Sequence, residues 1–332
     1  MFAEPYSVLG GALGQSGGAI VEQPTRRRTA SRAAEPEVIL DADRLARAVA
    51  LFADIGCLGP LWMEAGNAAL TLAMPAPLPS RLDASGVART SVGEDGVVLW
   101  LPQQWAWLWG VAGGRALTLE SPRGETLLRL LPRRVTPGFA FALDALIKTR
   151  GGGPRIWLDL ASGRQQSSLH DVGSHPVWAI LAQTTAAVIP GLTDADLAEL
   201  TGCLALDSHR LRAMGHASAV DPELISGLLA ICTDQHQPLW CATGNAGVLV
   251  YRRLSLTHSQ LHAGRRWLRG KDVALSLAHQ ELATAWVVEG GGMRHLRLYD
   301  HQGRAVAMLG AVAEPGGREP PLWRRLIDAL RN

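Results

Sequence analysis

Two histidine-bearing stretches hold the side chains best suited to chemistry. In SSLHDVGSHPVWAILAQ, His170-Asp171-Val172 is followed by His175-Pro176-Val177-Trp178. Pro176 fits the first position of a helix, where its missing N–H would have had no partner anyway. A helix start is therefore expected at His175. A neutral imidazole there can cap the helix or pack in a core. Near a domain junction it can instead project an unshared nitrogen into a cleft, which suits an iron ligand. In THSQLH, His258 and His262 stand four apart, which puts them on one face if the stretch is a helix, a spacing that can hold a metal. The segment reads equally as a strand, and the Glu of a zinc-protease motif is missing. Packing or surface exposure is the simpler use of that pair.

Other chemistries are excluded more firmly. RGGGPR at Arg150 lacks the Lys-Ser/Thr pair of a phosphate loop, and no Gly-x-Ser-x-Gly elbow is present. Cys57, Cys203, Cys232 and Cys241 form no Cys-x-x-Cys pair, so they read as reduced thiols. The net charge of +2 gives no general electrostatic case for nucleic acid or an anionic membrane. No apolar run is long enough for a membrane span, and the first residues lack the pattern of a signal peptide. Cytoplasm is the expected compartment. Eleven Trp stand against four Phe and three Tyr, so flat aromatic faces are unusually available for a core or a flat ligand.

The elements that must position these residues come as two copies. LWMEAGNAALTL (61–72) and LWCATGNAGVLV (239–250) share Leu, Trp, Gly, Asn and Ala in register. WLWGVAGGRALTLESPRG from Trp107 aligns without a gap on WVVEGGGMRHLRLYDHQG from Trp286. FALDALIKT and RRLIDALRN close the two halves. Ser-Pro-Arg-Gly and Asp-His-Gln-Gly each read as a hairpin turn, with Gly supplying positive φ. Gly-Asn marks a further hairpin. DADRLARAVALFADIG has helical spacing behind an Asp cap. Each half is thus helix, hairpin, further strands, hairpin and closing helix. The expected fold class is α+β, a tandem duplication in which each half is a large antiparallel β-sheet with flanking helices. The expected organisation is a disordered tail (1–37), an N-terminal repeat (38–150), a linker (151–169) and a C-terminal repeat (170–332).

Taken together, ATAWVVEGGGMRHLRLYDHQGRAVAMLG with PPLWRRLIDAL, PLWCATGNAGVLVY and VVLWLPQQWAWLWGV resemble, in order and spacing, the bacterial cytoplasmic haem-utilisation proteins. These are also called hemin-degrading factors or haem-trafficking proteins, and the likeness runs from about Asp41 to the C-terminus. The resemblance implies two α+β repeats with haem (iron protoporphyrin IX) held between sheet and helices near the junction. It implies an axial His opening the second half, which falls on His175, with His170 as the alternate and Trp178 as the following aromatic. Basic residues before a Trp fall on Arg265 and Arg266, which would pair with haem propionates. One departure stands out. The family's distal Arg falls on Leu99, and a Leu cannot donate charge-assisted hydrogen bonds to ligands of the iron. A haem carrier is therefore expected ahead of a haem-degrading enzyme or a copy that has lost haem. Its partners would be haem and a haem-accepting enzyme, with no nucleic acid and no membrane insertion.

Overall fold

The computed structural model describes residues 42–331, apart from 84–85, 94–95, 111–115, 135, 151–154, 159, 161–191, 203–210, 212–215 and 291. His170, His175, Trp178 and the N-terminal tail lie outside the described residues. The first half opens with α1 (Ala42–Gly56) and the hairpin β1 (Leu61–Gly66) and β2 (Leu70–Pro75). β3 (Ala88–Ser91), β4 (Gly96–Trp100), β5 (Trp107–Gly110), β6 (Leu117–Glu120) and β7 (Thr126–Pro132) follow, closed by α2 (Pro137–Thr149). Next come β8 (Arg155–Trp157), α3 (Asp194–Leu200) and β9 (Ala217–Val220). The second half contains α4 (Glu223–Asp234), β10 (Leu239–Asn245), β11 (Val248–Leu254), β12 (Leu256–His262), β13 (Arg265–Gly270) and β14 (Ala274–Ala278). It ends with β15 (Leu282–Gly290), β16 (Met293–Asp300), β17 (Ala305–Ala311) and α5 (Pro321–Arg331).

The fold class is α+β with two large antiparallel sheets, as the sequence implies. The strands do not sort by half, however. Sheet A runs β12-β13-β14-β2-β1-β7-β6-β5-β8, and sheet B runs β3-β4-β11-β10-β17-β16-β15-β9. Each half lends a hairpin to the other's sheet: β4 pairs with β11, and β14 pairs with β2. Part of the stretch read as a connection, Arg155–Trp157, is a strand on the edge of sheet A beside β5.

The two Gly-Asn signatures explain how the exchange is held. Asn67 Oδ1 accepts from the backbone N–H of Ala69 and Leu70, while its Nδ2 donates to Val306 O at 2.9 Å. Asn245 Oδ1 accepts from Gly247 and Val248, while its Nδ2 donates to Leu127 O and Gly66 O, both at 2.8 Å. Leu127 and Val306 are counterparts in the register that matches Trp107 with Trp286. Each Asn therefore shapes its own hairpin and reaches into the other half at the equivalent point. The preceding glycines are required as well. A Cβ on Gly66 would sit 2.2 Å from Leu70 O, and one on Gly244 2.7 Å from Val248 O.

The later hairpins repeat the match. Ser121 Oγ accepts from Arg123 and Glu125, and Asp300 Oδ1 accepts from Gln302 and Arg304. Gly124 and Gly303 both take positive φ. The inner faces of both sheets join the buried sides of α1, α2, α4 and α5 in one core, which includes Phe52, Trp100, Trp105 and Trp323. Among the described residues, no helix is long and apolar enough to cross a membrane.

Candidate functional site

Strand alternation gives each sheet a second face, turned away from that core. On sheet B this outer face is built by Val97 and Leu99 of β4, Leu249 and Tyr251 of β11, and Trp240 and Ala242 of β10. Met308 of β17, Tyr299 of β16, and Trp286 and Val288 of β15 complete it. Leu192, Leu197, Leu200 and Leu211 cover it, so α3 is its lid. Leu99 is fully buried there, directly opposite Leu249.

A polar cluster ties α3 to this apolar face. His295, Arg297 and Tyr299 alternate along β16 and share one side of it. Arg297 pairs with Asp196 at 2.6 Å and with Glu199 at 3.4 Å, and Tyr299 OH donates to Glu199 at 2.9 Å. Asp196 is also the reciprocal partner of Thr193 in the capping box that starts α3, so one carboxylate serves both the helix and the ion pair. Arg297 Nε lies 3.3 Å from His295 Nε2, which must accept and so leaves the proton on Nδ1. Burial pushes the His295 pKa down to about 4, Arg297 adds to the shift, and Asp196 opposes it. Burial raises the pKa of Tyr299, and the Glu199 carboxylate reinforces the shift. The His295 ring lies 6.0 Å from that of Trp240, whose indole covers Gly310. Arg253 follows Tyr251 on the same side of β11 and is exposed at the rim.

The residues expected to bind propionates sit elsewhere. Arg265 and Arg266 lie on β13 of sheet A, and as neighbours on a strand they leave by opposite faces. Arg265 donates to Ala68 O and to Ser276 Oγ. Arg266 donates to Ser226 Oγ of α4 and to Ser259 Oγ. His258 and His262 fall on a strand, β12, and no group of three or more His, Cys, Asp or Glu among the described residues could hold a metal. Burial raises the thiols of Cys232, to about 12, and of Cys241, so both stay protonated and inert. A separate open cleft of about 450 Å³ lies between the β15–β16 turn and α5. Its Arg294 is already neutralised by Glu319 and Asp328.

Sequence reading overlooked His295, Arg297, Tyr299, Asp196 and Glu199. The signal for the first three was present in the repeat. Where β16 carries His295, Arg297 and Tyr299, the matched strand of the first half carries Ala116, Thr118 and Glu120.

No family model matches the sequence, and no curated protein matches it. Among solved structures, the heme degrading enzyme ChuS of Escherichia coli O157:H7 is similar over 86% of this chain and 85% of its own, with a TM-score of 0.60 and 16% identity. PhuS, a heme-binding protein from Pseudomonas aeruginosa, is similar over 85% of this chain and 84% of its own, with a TM-score of 0.62 and 17% identity. The fold of this chain is therefore that of ChuS and PhuS over about 85% of its length.

Proposed function

We propose that this chain binds haem against the outer face of sheet B and holds it for uptake and transfer in the cytoplasm. The observation that carries the reading is the likeness of fold across both halves to proteins described as haem-binding and haem-degrading. The residues of that face fit the group. Leu99, Leu249 and Met308 would offer an apolar surface to a macrocycle once Leu197 and Leu200 of α3 lift from them, and Trp240 and Tyr251 would add flat aromatic area. Arg253 stands exposed at the rim, where a guanidinium can pair with a carboxylate. In this reading the propionate role passes to Arg253, because Arg265 and Arg266 lie on sheet A and leave β13 by opposite faces.

Haem would supply the iron, and we assign its axial ligand to His175, with His170 as the alternate and Trp178 packing beside it. His295 is not assigned, since its acceptor nitrogen is occupied by Arg297. Leu99 lies on the proposed haem face, at the position of the family's distal Arg, and has no polar atom to offer there. That favours a carrier, delivering to a haem-accepting enzyme, over a ring-cleaving enzyme.

Hemin titration of the purified protein tests the reading. A saturable Soret band that shifts or disappears in His175→Ala is expected. No band in wild type overturns haem binding, and an unchanged band in the variant moves the ligand to His170. The enzymatic alternative has its own readout. With reductant and catalase present, the haem spectrum should persist; steady conversion would make the protein a haem-degrading enzyme.

A further inference from the structure

The β12–β13 hairpin has work left over after the haem reading. β13 and β14 are the counterparts of β3 and β4, because each set extends the other half's sheet in the same way. β12 has no counterpart among the described strands. It is an added strand, and among the described residues it forms the end of sheet A, with its outer edge unpaired. Its seven residues, LTHSQLH, contain no Pro, Lys, Arg, Asp or Glu. Edge strands of monomeric proteins are ordinarily protected by such residues, because the free N–H and C=O groups invite another strand. The only irregularity of β12 is a bulge at its start, between Leu256 and His258.

The hairpin is also basic. From Gln235 to Lys271 there is no Asp or Glu, while Arg265, Arg266, Arg269 and Lys271 lie in or beside the hairpin. Asp272, the next acid, is directed to Arg133 at 3.6 Å. Register places His258 opposite Arg269, Gln260 opposite Trp267, and His262 opposite Arg265, all on the outer face. Trp267 is 39% exposed at the centre of that group, and Leu261 is 55% exposed on the opposite face. Exposed Trp ringed by Arg is the composition of a binding hot spot.

We propose that β12 is a docking edge for an extended, acidic segment of another protein, which adds as a further strand of sheet A. Main-chain hydrogen bonds along the free edge would supply affinity, and alternate acidic side chains would meet Arg265, Arg269 and the two histidines. The free backbone edge is what favours a polypeptide over a nucleic acid, since phosphates cannot continue a β-ladder.

The test uses the full chain and fluorescently labelled peptides long enough to match β12, one alternating Glu and Val, the other Lys and Val. The Glu–Val peptide should give a saturable rise in anisotropy and protect the β12 amides from hydrogen exchange. Binding should weaken by roughly tenfold or more in Arg269→Glu, an exposed position whose change leaves the fold intact, and should weaken in salt. Trp267→Ala should weaken it as well. Binding of neither peptide, or of both equally, overturns the proposal. So does preferential binding of a labelled oligothymidine. Self-association in ultracentrifugation that disappears in Arg269→Glu would make the occupant a second copy and overturn the acidic partner.

Discussion

The outer faces of sheets A and B are built on matched strands and have become different surfaces. On sheet B, Trp240 and Trp286 are roofed by α3, and the roof is fixed by Arg297 and Tyr299 bonding to Asp196 and Glu199. On sheet A the counterparts of those Trp are Trp62 and Trp107, and register adds Trp109, Trp157 and Trp267 to the same face. Trp107 packs edge-on against Trp157, which stays 48% exposed. Thr118 takes the place of Arg297, and Glu120, in the place of Tyr299, accepts from Trp109 Nε1 instead of bonding a helix. The buried sides of α1, α2, α4 and α5 all belong to the inter-sheet core, so none of these helices roofs the face as α3 does on sheet B. Duplication thus kept the backbone scaffold and let the outward side chains diverge. The copy that carries the buried Arg297 cluster is the one that closes over its own face.

The sharpest way to break this contrast is at the matched pair Arg297 and Thr118. Removing Arg297 leaves two carboxylates in an apolar setting, which costs about 3–5 kcal/mol for a buried pair that loses one partner. Arg297→Met should lower the urea midpoint accordingly and speed hydrogen exchange in α3. Thr118 is buried and its hydroxyl has no hydrogen-bond partner, so Thr118→Val should change stability by less than about 1 kcal/mol. Equal losses at the two positions would mean that the sheet B cluster is not special.

Acid should separate the faces next. His295 has its folded pKa pushed down to about 4, chiefly by burial, whereas in the unfolded chain it protonates near 6.5. Its contribution is fully present above the unfolded value and is lost as the pH falls toward the folded one. Stability should therefore decline between about pH 6.5 and 4, by no more than about 3 kcal/mol from this group. His295→Gln keeps an acceptor for Arg297 and should flatten that part of the profile. An unchanged slope would assign the acid sensitivity to other groups.

Much of the scaffold was legible because turns and registers are written locally. Gly66-Asn67, Gly244-Asn245, the Ser121 and Asp300 turns and the closing helices all declare themselves by residue type. The strand exchange was not legible. β4, Gly96–Trp100, is buried at every position, so its pattern fits a place in either sheet. Arg155–Trp157 is too short to show any period. The proposed site divides in the same way. Alternation could have put His295, Arg297 and Tyr299 on one face, but nothing local says that Asp196 and Glu199, about a hundred residues earlier, face them. Arg265 and Arg266 were paired by the family resemblance, and their adjacency on a strand sends them to opposite faces.

The smallest difference between copies should appear where they remain alike, at Asn67 and Asn245. Each carbonyl oxygen orders a turn, and each amide crosses to the other half, so both alanine variants forfeit local and long-range bonds together. Asn245 makes two crossing bonds, to Gly66 O and Leu127 O, whereas Asn67 makes one, to Val306 O. At about 1 kcal/mol net for each such bond, Asn245→Ala should cost about 1 kcal/mol more than Asn67→Ala in equilibrium unfolding. Because the exchanged hairpins still join the halves, both variants should unfold in one transition, with the sheets lost together. A second transition in either variant would show that one sheet survives without the other, and that the paired Asn residues, not the exchanged hairpins, couple the halves.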